Sequence, residues 1–110
     1  MPFTVVKPKI LAGESLSQGI NLATGTVHFL FVPFNWKSAN LSFQASPDDA
    51  VYYNLCDDDG SERLRTVRPG TAVSITLDWT KGNWIKLRSG PSAMPIIQPT
   101  DCEFLITIET

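Results

Sequence analysis

Hydrophobic and polar positions alternate with a period of two along much of this 110-residue chain. The clearest stretch places Leu41, Phe43 and Ala45 against Ser42 and Gln44, passes through the proline and acid loop Ser46-Pro47-Asp48-Asp49-Ala50, and resumes in Val51-Tyr52-Tyr53-Asn54-Leu55. Apolar residues two apart, many of them β-branched or aromatic, suit a half-buried strand, whereas a helix needs spacings of three and four. The pattern therefore predicts two antiparallel strands joined by a turn. Similar signals mark strands at 4–7, 19–22, 27–32, 41–45, 51–56, 63–67, 72–77, 84–88 and 103–109, with turn residues between nearly all of them. In the last of these, Phe104, Ile106 and Ile108 alternate with Leu105, Thr107 and Glu109. In 72–77, Val73, Ile75 and Leu77 alternate with Ser74, Thr76 and Asp78. Segment 27–32 is apolar on both faces, as expected of a central strand covered on both sides.

Eight prolines and seven glycines leave almost no window for a helix of ordinary length. Without helical crossovers a parallel sheet has no connections, so the strands are expected to pair antiparallel. The predicted fold is all-β: a single antiparallel β-sandwich domain over 1–110, of jelly-roll or Greek-key type, with at most one short helical turn in 33–40. Residues 1–8, bracketed by Pro2 and Pro8, are expected to form an extended N-terminal arm able to add to the edge of a neighbour's sheet.

Composition narrows the functions. At 43% hydrophobic and 18% charged residues the chain is apolar enough to build a core, and no apolar run approaches the roughly 20 residues that span a bilayer. The start of the chain lacks the basic then apolar layout of a signal peptide, so synthesis in a cytoplasm without export is expected. A net charge of −2 gives no general attraction for nucleic acid. Arg63, Arg65 and Arg68 are the basic cluster, and they read as a solvated strand edge.

Candidate chemistry is sparse. Cys56 and Cys102 lack the spacing and the histidine of a zinc site, and both are expected as small buried free thiols, with a disulfide between them as the alternative if their strands are adjacent. Asp57-Asp58-Asp59-Gly60-Ser61-Glu62 groups carboxylates around a glycine, but the register is not that of a calcium loop and Asp-Gly favours a hairpin turn. His28 sits in an apolar strand without a nucleophile motif nearby and reads as a structural, hydrogen-bonded ring. Carboxylate pairs drawn from Asp48, Asp49, Asp78 and Asp101 carry no informative spacing. No catalytic residue, metal or cofactor is predicted, and the chain is expected not to be an enzyme.

Surfaces remain. Residues 88–99 form a proline-punctuated loop carrying Met94, Ile96 and Ile97. With Phe3 and Val5 of the arm, these are the candidate protein-interface residues, the competing role for the loop being to fold back over an open end of the sandwich. Trp36, Trp79 and Trp84 offer an alternative, because flat aromatic faces stack on sugar rings; the competing role for them is filling the core and the sheet rims.

Three stretches carry a family resemblance: Ala12-Gly13-Glu14-Ser15-Leu16-Ser17; Pro33 and Trp36 leading into Ala39-Asn40-Leu41-Ser42-Phe43-Gln44-Ala45-Ser46; and Leu87-Arg88-Ser89-Gly90 before Gln98. In these the chain resembles small β-sandwich structural proteins of tailed bacteriophage virions. It departs from them where Pro47-Asp48-Asp49-Ala50 stands in place of an Asp-Gly turn. The resemblance implies a virion part assembled in the host cytoplasm: a capsid decoration or cement protein, or a head or tail accessory. It would form a homo-oligomer, and its partners would be other virion proteins, the major capsid protein foremost, with no nucleic acid and no membrane.

Overall fold

A computed structural model describes residues 3–22, 25–75 and 83–109. Among the described residues there are eleven strands and no helix: β1 Phe3–Val6, β2 Lys9–Ile10, β3 Ile20–Asn21, β4 Thr26–Phe31, β5 Leu41–Ser46, β6 Tyr53–Asn54, β7 Leu64–Arg65, β8 Ala72–Ser74, β9 Trp84–Ser89, β10 Cys102–Glu103 and β11 Leu105–Glu109. All pairings are antiparallel. One sheet has the order β1-β11-β4-β8. A second runs β3-β9-β5-β6, with β7 also on β5, and β2 with β10 makes a small third sheet. The all-β prediction holds.

Alternation fixes which side chains turn inward. Ile106 and Ile108 of β11 with Val27 and Leu30 of β4 supply the core from the four-stranded sheet. Leu41 and Phe43 of β5 with Ile85 and Leu87 of β9 supply it from the other, and all belong to one buried cluster. Phe104 is fully buried and meets the ring of Trp36 edge-on at a centroid distance of 5.2 Å. The small third sheet closes this cluster, since it pairs Ile10 with Cys102 and buries both completely.

The hairpin predicted from 41–55 is present, with Gln44 opposite Asn54 and Ala45 opposite Tyr53. Its loop ties itself together: the Asp48 carboxylate accepts from the Ala50 and Val51 amides and from Ser46 Oγ, and these bonds hold its pKa below the ordinary aspartate value. Asp49 adopts a left-handed φ of 60° and accepts a hydrogen bond from the Tyr52 hydroxyl. Burial first, and that bond second, raise the Tyr52 pKa.

Several predicted strands are shorter than the alternation implied. Segment 51–56 keeps only Tyr53–Asn54 plus an isolated bridge from Cys56 to Glu62, because the 57–60 turn bends the chain away. Segment 72–77 is a strand at Ala72–Ser74, and its residues 76 and 77 lie outside the described residues. The pair β2 and β10 is not anticipated by the alternation, two residues being too few to carry a period. Near Pro33 the chain makes one hydrogen-bonded turn, from Trp36 N to Pro33 O.

Strand β4 is central in its sheet but not covered on both faces, as its composition suggested: Leu30 is buried while Phe29 and Phe31 are exposed. A bulge interrupts its pairing with β11, where Thr107 faces Phe29 and Ile108 faces Val27, leaving His28 as the extra residue. His28 is half-exposed rather than enclosed. Its Nε2 meets Glu109 Oε1 at 2.7 Å, and its ring stands edge-on to Phe3 at 5.6 Å.

The two classes of aromatic and aliphatic position should separate in unfolding experiments. Truncating the enclosed Phe104→Ala is expected to cost about 4 kcal/mol in urea titrations. Leu105→Ala, one residue on but facing outward, should cost under about 1 kcal/mol.

Candidate functional site

The end of β9 brings together residues from distant parts of the sequence. Along Trp84–Ser89 the side chains of Ile85 and Leu87 enter the core, which turns Arg88 to the opposite face, against Ser42 of β5. Arg88 is nonetheless buried, because the 57–62 turn and the 91–98 segment cover it. A buried guanidinium needs partners for its donors, and it has them: Nε donates to Ser42 Oγ at 2.8 Å, Nη1 to Asn54 Oδ1 at 2.9 Å and Nη2 to Glu62 Oε2 at 2.8 Å. Ser42 Oγ in turn donates to the Gly90 carbonyl at 2.6 Å. Glu62 accepts the Ser92 amide on both oxygens, at 3.0 and 3.2 Å. Burial pushes the Glu62 carboxyl up, but the Ser92 hydrogen bonds and the Arg88 charge outweigh it, and its pKa lies below the ordinary glutamate value.

On the inner side of the same strand end, Gln98 is completely buried and fully satisfied. Its Nε2 donates to Lys37 O at 3.0 Å and Ser89 Oγ at 2.9 Å, and its Oε1 accepts the Lys37 amide at 2.9 Å. Its backbone bridges Gly13 and Glu14, through Gly13 N to Gln98 O at 2.9 Å and Gln98 N to Glu14 O at 3.0 Å.

Between these two anchors, residues 91–97 lie folded against β9. Ile96 N bonds Ser89 O at 2.8 Å and Met94 N bonds Pro91 O at 3.1 Å. Gly90 makes this fold possible: its φ is 84°, and a Cβ there would lie 2.8 Å from Ile96 N and 2.9 Å from Met94 O. The segment is thus fixed at both ends and along its backbone, yet it presents Met94 at 72% and Ile97 at 60% exposure. Ile97, Leu11 and Leu16 border an open groove whose other walls include Lys9, Lys86 and Glu14. No family model, curated protein or solved structure matches the chain.

Of the interface residues expected from sequence, Met94 and Ile97 are exposed on this segment. Ile96 is half-buried beside Gly90, and Phe3 and Val5 are exposed on β1, well apart in the sequence from the loop. Trp36 does not fit the sugar-stacking alternative: at 3% exposure its ring is part of the core, and its Nε1 donates to Ala39 O at 3.3 Å. Trp84 is half-buried on β9 opposite Ser46, and Trp79 lies outside the described residues. Cys56 is exposed rather than buried, for the 57–60 turn leaves it at a sheet margin. Cys102 is buried, and both are free thiols. Burial raises the Cys102 pKa, which keeps the thiol protonated.

The 57–62 stretch closes as a turn, with Gly60 N on Asp57 O at 2.9 Å and Asp57 N on Ser61 O at 2.7 Å. Asp59 accepts from Ser61, and Asp57 from Arg63 at 2.8 Å. Arg65 donates to Ser74 O at 3.1 Å, linking β7 to β8. Sequence reasoning did not single out Arg88, Glu62 or Gln98 as a unit. The available signal was an arginine between inward-facing Leu87 and a Ser-Gly pair, at the end of a strand otherwise reading as core.

Gly90→Ala is expected to destabilise the protein by about 2 kcal/mol or more, through left-handed strain and the backbone collision, measured as a lower urea midpoint. Glu62→Gln should cost about 3 kcal/mol at pH 7 by leaving Arg88 buried against a neutral partner. Because the folded Glu62 pKa is depressed, the wild type holds this stabilisation above the unfolded pKa of about 4.3 and loses it as pH falls through the folded value. The gap between wild type and variant should therefore narrow in denaturant titrations taken from pH 7 down to pH 3.

Proposed function

We propose that the chain is a non-enzymatic structural protein of a phage virion, decorating or cementing the capsid or serving as a head or tail accessory. It would bind other virion proteins, the major capsid protein foremost, through surfaces rather than a pocket. The observation that carries the reading is the 91–97 segment. Two buried polar anchors and a glycine-dependent fold are spent on holding rigid a stretch whose outermost side chains, Met94 and Ile97, are apolar and exposed. Rigid apolar projections lose little entropy on docking, which suits a protein that acts by contact.

Two further points support it. Counting β1, β3, β4, β5, β6 with β7, β8, β9 and β11 as strands 1 to 8, the two larger sheets have the orders 1-8-3-6 and 2-7-4-5. We read these as a jelly roll. That architecture is used by viral capsid and lectin domains, although a fold by itself assigns neither role. The phage particle enters through the resemblance, and the three stretches that carry it meet at the buried anchors. Ser15 O accepts from Ser89 N at 2.7 Å, Ser42 bonds Arg88 and Gly90, and Gln98 bonds Ser89. The carbohydrate alternative keeps only Trp84 among the described tryptophans with a partly free face.

Co-sedimentation of the purified chain with phage heads and with tails tests the proposal. Wild type is expected in the pellet with one of them. Met94→Asp combined with Ile97→Asp should bind at least about tenfold more weakly, since each side chain buries surface worth more than about 1.4 kcal/mol. A wild type that stays in the supernatant with both particles, or that binds a glycan array instead, overturns it.

A further inference from the structure

The outer face of the four-stranded sheet is the second apolar surface, and it is broader than the loop. In the registers of β1 on β11 and β11 on β4, Val5 is opposite Thr107 and Thr107 is opposite Phe29, while Leu105 is opposite Phe31. Residues paired in this way share a face. Phe3, Val5, Phe29, Phe31 and Leu105 all stand exposed there, with the rings of Phe29 and Phe31 at 6.2 Å. Phe34, 89% exposed, extends the patch past Phe31 and Leu105, around a hollow that also touches Gly70 and Ala72.

The size of the patch bears on what covers it. With a buried aromatic contributing roughly 200 Å² and aliphatics somewhat less, these six side chains expose on the order of 600 Å² of apolar surface. That is the upper end of what a monomer leaves open. A stable dimer buries about 800 Å² per partner, about 65% of it apolar between identical subunits, or roughly 500 Å². The face is of the size that one homodimer contact consumes.

Charge decides the kind of partner. On this face Glu109 is already hydrogen-bonded by His28, and at the margin Glu103 faces Lys9 at 3.8 Å. The remaining described outward residues of these strands, Thr26, Thr107, Ala72 and Ser74, are small and neutral. Among the described residues of this face the one carboxylate, Glu109, is already engaged by His28, so a charged partner finds little to pair with, whereas an identical face offers the same apolar side chains with its carboxylate already bonded. An isologous two-fold contact requires just such self-compatibility.

We infer that the outer face of the β1-β11-β4-β8 sheet docks on the same face of a second copy, forming a two-fold homodimer with the two sheets packed face to face. Sheets stacked in this way lie about 10 Å apart, a gap that phenylalanine and leucine side chains from the two faces fill by interdigitating. The dimer covers Phe29 and Phe31 and leaves the 91–97 segment, on the other sheet, open. This deepens the proposed structural role by naming its self-association surface, and it is tested without a particle, so that the two readings fail separately.

Light scattering coupled to size exclusion, over roughly 5 to 200 µM, reads the result. Wild type is expected at twice the chain mass. Phe29→Lys with Phe31→Lys should elute at the single-chain mass, with dissociation at least 100-fold easier and an unchanged far-UV circular dichroism spectrum. Should that variant not fold, Phe3→Lys with Val5→Lys, on the edge strand, must give the same dissociation. Met94→Asp with Ile97→Asp should remain dimeric. A wild type that is monomeric at 200 µM, a folded lysine variant that still dimerises, or a loop variant that falls apart would each overturn the inference.

Discussion

Arg88 and Gln98 are two large polar side chains enclosed where water does not reach them, and much of the surrounding structure follows from meeting their hydrogen-bonding needs. An unpaired buried guanidinium or amide costs several kilocalories per mole, so each must be surrounded by partners before the end of β9 can close. The partners come from 13–17, 37–42, 54, 62 and 89–92, segments that no single hairpin unites. Among the described residues every buried side-chain nitrogen and oxygen has a partner. Hydrophobic burial is tolerant of small displacements, whereas these hydrogen bonds are directional, and they hold 91–97 on its path across the sheet.

The two sides of the molecule use their side chains differently. On the five-stranded sheet, polar residues that alternation turns away from the core are covered by loops and locked together, which is why Ser42 is as buried as its neighbours Leu41 and Phe43. On the four-stranded sheet Phe3, Val5, Phe29, Phe31 and Leu105 of the outward face stay exposed, and among the described residues that face is mainly aromatic and aliphatic. The protein thus carries polar groups where it covers itself and apolar groups where it does not. For an isolated soluble domain the reverse distribution would be the more stable one.

Much of the strand pattern was legible in the sequence, because a half-buried strand writes its burial into every second residue. The strand ending at Glu109 follows that rule residue by residue, whereas in Leu41–Ser46 the pattern located the strand but Ser42 is as buried as Leu41 and Phe43. Segment 27–32 was legible as a strand but not in its surroundings. Apolar residues on both faces fit a covered strand and a strand with one sticky face equally well, and only the fold distinguishes them. The lock around Arg88 was hidden for a different reason. Its members lie up to dozens of residues apart, and serine, asparagine, glutamate and glutamine look like ordinary surface until the chain folds over them. Trp36 was ambiguous because an indole suits a core and a sugar site alike. Its enclosure depends on Phe104, which is distant in the chain.

The pairing of Phe3 with Glu109 across β1 and β11 governs the order of events as the chain emerges from a ribosome. Strand β1 has no partner until β11 follows it, and β11 itself must reach β4, so the four-stranded sheet cannot be completed progressively. Until β11 has been made, β1 is unpaired and β4 has only β8 beside it, with their aromatic residues exposed to every other nascent chain nearby. Folding of such a topology is slow, since long loops must close before any contact rewards them, and the waiting intermediate is open to aggregation. Yield in a cell is then governed as much by the chaperones that shelter those strands as by the stability of the finished fold.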